Sequence, residues 1–267
     1  LGDWAVAALL VAQAFVIPVY CIQPLQRFIP PNDPSTSYPH VDVFLTEAQK
    51  WAVLAAAPLL SGLAVNAPAL LSSSSPADAA IDVHHLSLAA FQAFAIEASF
   101  KKWANLVGRP RPDYNWRVAQ GKDVTEGLFA YPSGHAAEFF AVGTVLFLYF
   151  LGKARLLDAT APVRRWGGHL GLAALSCAPL AVATLVSLSR VAGYRHSFSD
   201  VNAGAGIGLL CGVFGYLLNY ASPLGEGSGE ARVGARAGGG RRRKAAAEGG
   251  ERAPLLGAEE GGQPVST

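Results

Sequence analysis

Six blocks of about 20 mostly apolar residues dominate this chain, and they are apolar all round rather than along one stripe. A helix rises about 1.5 Å per residue, so each block is long enough to cross a hydrocarbon core of about 30 Å. The blocks fall at about 3–22, 50–72, 83–101, 136–154, 169–189 and 201–220. Only the third is interrupted, by Gln92 and Glu97, and polar groups within a span face the bundle interior or a site. With 51% of residues hydrophobic and 15% charged, a soluble helical bundle is excluded in favour of an all-α, polytopic membrane protein. The expected organisation is a six-helix transmembrane domain at 1–221 and a tail at 222–267.

The charges give the orientation. Lys153, Arg155, Arg164 and Arg165 against Asp158 make the fourth loop basic, and Arg241–Lys244 make the tail basic. Excess Lys and Arg mark the cytoplasmic side, so both chain ends are expected inside. The 101–135 segment then lies outside despite Lys101, Lys102, Arg109, Arg111, Arg117 and Lys122, a conflict that disappears if these cations bind an anion. The loop with Arg190 and Arg195 shares that outer face. The tail is rich in Gly, Ala, Arg and Glu, buries too little apolar surface to offset its ordering entropy, and reads as disordered. Within it, Glu251-x3-Leu255-Leu256 has the pattern of an acidic dileucine sorting signal. Cys21, Cys177 and Cys211 make no disulfide framework. The absence of methionine is read as an incomplete or processed N-terminus.

Three short stretches carry the chemistry: Lys102-x6-Arg109-Pro110, Pro132-Ser133-Gly134-His135, and Ser189-Arg190-x5-His196-x3-Asp200. Cleaving a phosphate monoester needs a nucleophile, an acid for the leaving oxygen, and positive charge on the non-bridging oxygens. His196 and Asp200 stand four apart at the start of the last helix, so the carboxylate is expected to accept the imidazole Nδ1–H and leave Nε2 to attack phosphorus. The alternative has His196 capping a loop and Asp200 capping the helix. His135 follows Pro-Ser-Gly at a helix start, where exposed amides favour a phosphate and a bound dianion would favour the protonated imidazole.

This pattern resembles the type 2 phosphatidic acid phosphatase superfamily, over about residues 3 to 220. It is most similar to the plant and fungal lipid phosphate phosphatases, whose first motif ends in the Gly-Arg-Pro-Arg-Pro-Asp string found here at Gly108–Asp113. Pro24-Leu25-Gln26-Arg27-Phe28 also looks like the start of that family's first lumenal loop. The resemblance implies a haloperoxidase-like helical bundle acting as a Mg²⁺-independent lipid phosphate phosphatase. Phosphatidate, lysophosphatidate or diacylglycerol pyrophosphate would be cleaved through a phosphohistidine at His196, with His135 as acid and Asp200 as orienting carboxylate. Lys102, Arg109, Arg111, Ser133, Gly134 and Arg190 would bind the phosphate. The implied partners are a lipid phosphate and the bilayer, with no nucleic acid. The site would lie on the lumenal or extracellular face of an endoplasmic reticulum, vacuolar, endolysosomal or plasma membrane.

The chain departs from those relatives in its first motif. Their lysine precedes the Gly-Arg-Pro-Arg-Pro string by four residues, which here reaches Ala104. A seven-residue offset pairs Lys102 with Arg109 instead, so Lys102 is taken as the lysine and the motif arginine stays open between 109 and 111. No metal or cofactor site is read; His84 and His85 are adjacent and cannot converge from one helical face. An isoprenoid diphosphate or sugar-phosphate phosphatase remains a rival, because the motifs describe the phosphate pocket and not the leaving group. A non-catalytic lipid-phosphate-binding relative is the rival outside the enzymes.

Overall fold

The computed structural model describes residues 1–41, 45–72, 76–122, 124–161, 168–225 and 227–232. The cations Arg164 and Arg165, the tail cluster at 241–244 and the Glu251–Leu256 pattern lie outside the described residues. Among those described, the elements are α1 (Gly2–Val16, extended by a π-helical turn Ile17–Cys21), α2 (Glu47–Leu71), α3 (Pro76–Asn105), α4 (Tyr114–Ala119), α5 (Val124–Gly127), α6 (Gly134–Lys153), α7 (Gly168–Ser176), α8 (Ala178–Ala192) and α9 (Phe198–Asn219). Six helical segments have the length and apolarity to span a membrane, α7 and α8 together making the fifth. The chain from Leu1 to Ala231 forms one compact unit.

Each helix end has a local cause. Thr46 and Gln49 form a reciprocal capping box that starts α2, and Ser197 with Asp200 forms another that starts α9. The fifth span breaks at Cys177, two residues before Pro179, whose ring lacks the N–H a continuous helix would need. The third span was expected at 83–101 and instead runs from Pro76 to Asn105. Hydropathy ends an apolar window at the first charge, whereas lysines near a helix C-terminus suit the dipole and let the helix continue. Lys101 and Lys102 therefore belong to α3 and not to the following loop.

α6 is buried along most of its length and forms the centre of the bundle, while α1 and α2 face largely outward. Helix α9 lies against α6 through Gly204, Gly208 and Gly212, where an added Cβ would collide with the carbonyl oxygens of Ser133, Ala137 and Ala141. This small-residue stripe allows the two backbones to approach closely. At the end of the bundle remote from the motifs, the buried Asp82 carboxylate of α3 accepts from Tyr149 Oη (2.7 Å), Asn66 Nδ2 (2.7 Å) and Tyr220 Oη (3.2 Å) and pairs with Lys153 Nζ (2.7 Å). That network ties α2, α3, α6 and the end of α9 together. The C-terminal ends of α3 and α8 meet the N-terminal ends of α6 and α9, so all three motifs lie at one end of the bundle.

Candidate functional site

Ala130 joins the three motifs through its backbone. Its N–H donates to Arg109 O at 3.1 Å, and its carbonyl accepts from His196 Nδ1 at 2.8 Å. Three residues on, Ser133 N–H donates to Asp200 O at 2.9 Å, which joins the N-terminal turns of α6 and α9. Arg111 N–H bonds Gly127 O at 2.8 Å, so the first motif is zipped to the segment that leads into the second. The third motif closes on itself, because Arg190 O accepts from both Arg195 N–H (3.0 Å) and His196 N–H (3.2 Å). Tyr194 in that loop sits at φ 54°, a left-handed conformation uncommon for tyrosine, and stacks on Tyr38 with ring centroids 4.7 Å apart.

A carbonyl can only accept, so His196 carries its proton on Nδ1 and its Nε2 keeps a lone pair. The expected Asp200 partner is thereby corrected. His196 precedes the helix instead of lying on it, and Asp200 Oδ2 accepts from Ser197 N–H and Ser197 Oγ, both at 2.8 Å. Its other oxygen pairs with Arg109 at 2.9 Å. The capping box takes the carboxylate that the i, i+4 spacing had assigned to the imidazole. Burial, reinforced by the Arg111 charge, holds the His196 pKa well below the ordinary imidazole value.

His135 and Ser133 occupy the first turn of α6. Ser133 is its N-cap residue, yet its hydroxyl makes no capping bond; buried Ser133 Oγ and His135 Nε2 have no hydrogen-bond partner among the described residues. Buried Arg190, in the last turn of α8, lies within electrostatic reach of both histidines, and its Nε is likewise unpartnered. Unsatisfied buried polar groups are rare in folded proteins, and a convergent set of them marks a place for a polar ligand. Here the set is cationic donors and imidazoles at a helix N-terminus, which fits an anion.

Around this centre, Glu126 accepts from Arg111 (2.8 Å) and Arg195 (3.2 Å) through Oε1 and from Arg117 (3.0 Å) through Oε2. Against the burial that would raise it, these three guanidiniums hold the Glu126 pKa below the usual carboxylate range. Burial, with the Arg195 and Arg117 charges, pushes that of Arg111 down. Of the two candidate arginines, Arg111 belongs to this inner cluster. Arg109 is 38% exposed at the rim, bonded to Ser199 Oγ at 2.8 Å. The first loop closes over them: Arg195 meets the His40 ring at 2.9 Å, His40 Nδ1 lies 3.0 Å from Asp113, and Arg27 Nε donates to Val107 O at 3.0 Å.

Lys102 is not part of this group: its Nζ lies 4.3 Å over the Phe15 ring of α1. Its neighbour Lys101 turns the other way, its ammonium 2.6 Å from Glu138 on α6. Sequence reasoning counted Lys101 only among the cations of its segment and missed Glu138, Glu126, His40 and the Ala130 carbonyl. Glu138 carried a signal, a carboxylate one turn past His135 within an apolar span; the backbone carbonyl carried none. Among the described residues, no three His, Cys, Asp or Glu side chains stand close enough to share a metal ion.

Comparison with known proteins gives the family. The profile of the PAP2 superfamily matches residues 84–223. The chain is 39% identical to a PA-phosphatase related-family protein of Dictyostelium discoideum, over 53% of this chain and 51% of that protein. It is 31% identical to Lipid phosphate phosphatase 2 of Arabidopsis thaliana, over 83% of this chain and 77% of the relative. It is also 31% identical to Diacylglycerol pyrophosphate phosphatase 1 of Saccharomyces cerevisiae, over 49% of each. The chain thus spans about half the length of the Dictyostelium and yeast relatives. No solved structure matches it at a significant level.

Proposed function

Because the chain belongs to the PAP2 superfamily, we propose that it hydrolyses phosphate monoesters of membrane lipids through a covalent histidine intermediate. The observation that carries this reading is the convergence at one helix N-terminus of two imidazoles with complementary roles. His196 has a fixed tautomer and an available Nε2, and His135 has an Nε2 that makes no hydrogen bond and lies 3.6 Å from Glu47 Oε1, a carboxylate that favours its protonated form. Buried Arg190 and partly buried Arg111 supply charge for the phosphate oxygens.

In the first step His196 Nε2 attacks phosphorus, the P–O bond to the leaving group breaks, and His135 in its protonated form gives its proton to the departing oxygen, an alkoxide from a monoester or a phosphate oxygen from a pyrophosphate. A water then attacks the phosphohistidine while His135 takes the proton, releasing inorganic phosphate and restoring His196. The Ala130 carbonyl keeps the imidazole aimed throughout. Asp200 acts indirectly, pairing Arg109 and fixing the start of α9 beside His196.

Two apolar cavities of about 330 Å³ support a lipid leaving group. One lies among α1, α2, α3 and α6, between Trp4, Trp51, Phe91 and Val142; the other lies among α2, α6, α7 and α8, between Leu54, Phe139, Leu146 and Val182. Phe139 and Val142 follow His135 by four and seven residues, so these cavities begin within about two helical turns of the acid. The names of the relatives favour a lipid phosphate such as phosphatidate, or diacylglycerol pyrophosphate, as substrate; lysophosphatidate would offer the same phosphate group. The basic residues Lys153 and Arg155 at the opposite end favour an extracytoplasmic site.

The test is phosphate release from phosphatidate in detergent micelles with EDTA present, beside polyprenyl diphosphate and glucose 6-phosphate. Wild-type release that disappears in His196→Ala is expected. Equal release by the variant, or none from any ester by the wild type, would reject the reading in favour of a non-catalytic lipid-phosphate binder.

A further inference from the structure

A buried ionic cluster lies directly beneath the first turn of α6. Glu138, 1% exposed, meets Lys101 of α3 at 2.6 Å through Oε1 and Lys50 of α2 at 3.0 Å through Oε2. Both lysines are 5% exposed, and Lys50 also meets Glu47 at 2.7 Å near the surface. Charges inside a membrane bundle are costly and mark functional positions more often than packing ones. Three helices bring charged groups to one point here, where apolar side chains would pack as well.

The cluster sits where an anion would be held. A Cβ placed on Gly134 would stand 3.0 Å from Lys101 Nζ, so the ammonium lies against the glycine that precedes His135. The free amides of the α6 N-terminus open onto the same spot. Ser133 Oγ and His135 Nε2, both buried and without a hydrogen bond, belong to the same first turn, with Glu47 Oε1 3.6 Å from the imidazole nitrogen. Lys101 and Ala104 are three residues apart and so share a face of α3, and the lysine stem is long enough to reach across one turn. Glu97, four residues before Lys101, is fully buried with neither oxygen hydrogen-bonded, so Glu138 is the hydrogen-bonded carboxylate that fixes the ammonium.

We infer that Lys101 is the phosphate-contacting lysine of this chain, serving from one turn earlier the place that Ala104 leaves empty, and that Glu138 is a positioning residue that holds its ammonium against Gly134. Lys50 is a second counter-charge on Glu138 and is itself paired with Glu47. This rests on the phosphatase reading, but it is testable without turnover, because orthovanadate binds a phosphate pocket whether or not an ester is cleaved.

The experiment uses the full chain in detergent micelles and reads both kcat/KM on phosphatidate and orthovanadate binding by thermal shift. Lys101→Met alone would leave Glu138 with Lys50 as its remaining partner and change the buried charge, so the charge-neutral pair Lys101→Met/Glu138→Gln is the main variant. Adding Ala104→Lys to that pair restores a lysine one turn on. Glu138→Asp keeps the ion pair but draws it away from Gly134. The pair is expected to lose about 100-fold in kcat/KM with a matching loss of vanadate affinity, and Ala104→Lys to recover at least about tenfold. Glu138→Asp should lower kcat/KM with an unchanged unfolding midpoint, and Lys102→Met should match wild type. The inference is overturned if the charge-neutral pair and Glu138→Asp bind vanadate and turn over like wild type, or if Lys102→Met produces the loss. A wild type that binds vanadate through Lys101 yet cleaves no ester would retain Lys101 and reject the phosphatase reading. Turnover abolished by His196→Ala but indifferent to the Lys101 variants would do the reverse.

Discussion

The close contact of α9 with the first turn of α6 makes a sharp prediction at Gly204. A Cβ at this position would stand 2.5 Å from Ser133 O and 3.2 Å from the Ala136 Cβ. Ordinary contact with the carbonyl requires about 3.4 Å, so Gly204→Ala forces α9 and the first turn of α6 apart by about 0.9 Å. That turn carries Ser133 and His135, and α9 carries the cap that follows His196. A misplacement of about 1 Å between reacting groups lowers rate by about 100-fold, equivalent to about 2.7 kcal/mol of transition-state stabilisation. Overpacking also lowers stability by about 1–3 kcal/mol, so the activity is read per folded molecule, with folding followed by thermal unfolding in micelles. The comparator is Gly206→Ala, two residues along the same helix, where an added Cβ meets nothing within 4 Å. Loss of kcat/KM in the first variant and not in the second is expected. Wild-type kcat/KM in folded Gly204→Ala would refute the claim that backbone contact sets the separation of the two histidines.

The Arg111 charge depresses the His196 pKa in addition to burial, so Arg111→Gln should raise the pH at which the imidazole gains its proton. Titration of ¹⁵N-histidine-labelled protein by NMR checks the sign: neutral His196 at pH 6 in wild type, and a midpoint moved upward in the variant. Ser197→Ala removes half of the α9 capping box and should lower stability by about 1 kcal/mol in thermal or denaturant unfolding. Asp82→Leu leaves Lys153 and two tyrosine hydroxyls without their carboxylate at the far end of the bundle. It should destabilise by about 3–5 kcal/mol while kcat/KM of the folded fraction stays at the wild-type value.

The spans were legible because a bilayer imposes one simple requirement, a run of about 20 apolar residues, and this chain meets it six times. Alternating spans then place the loops that carry Lys102–Pro110, Pro132–His135 and Ser189–His196 at one end, as observed. What escaped the sequence had no periodic signature. Hydropathy stopped the third helix at its first lysine, which hid the opposite directions taken by Lys101 and Lys102. Helical spacing assigned Asp200 to His196, but the helix begins after the histidine and its own cap competes for the carboxylate. The Gly204, Gly208, Gly212 stripe went unread in the sequence, and the structure names α6 as its partner. His40 reaches Asp113 and Arg195 across a long sequence separation, which no local pattern encodes.

The suspension of His196 from a main-chain oxygen has a consequence for how such a site tolerates change. Its aim is set by how many residues separate Gly127 from Gly134 and Arg190 from His196, not by which side chains fill those segments. Apart from Ser133 and Arg195, whose side chains belong to the site, residues along both stretches are then free to drift in identity, to suit a different leaving group or membrane, while the imidazole keeps its direction. A single insertion or deletion in either stretch would rotate the nucleophile away from phosphorus although every catalytic side chain was still present.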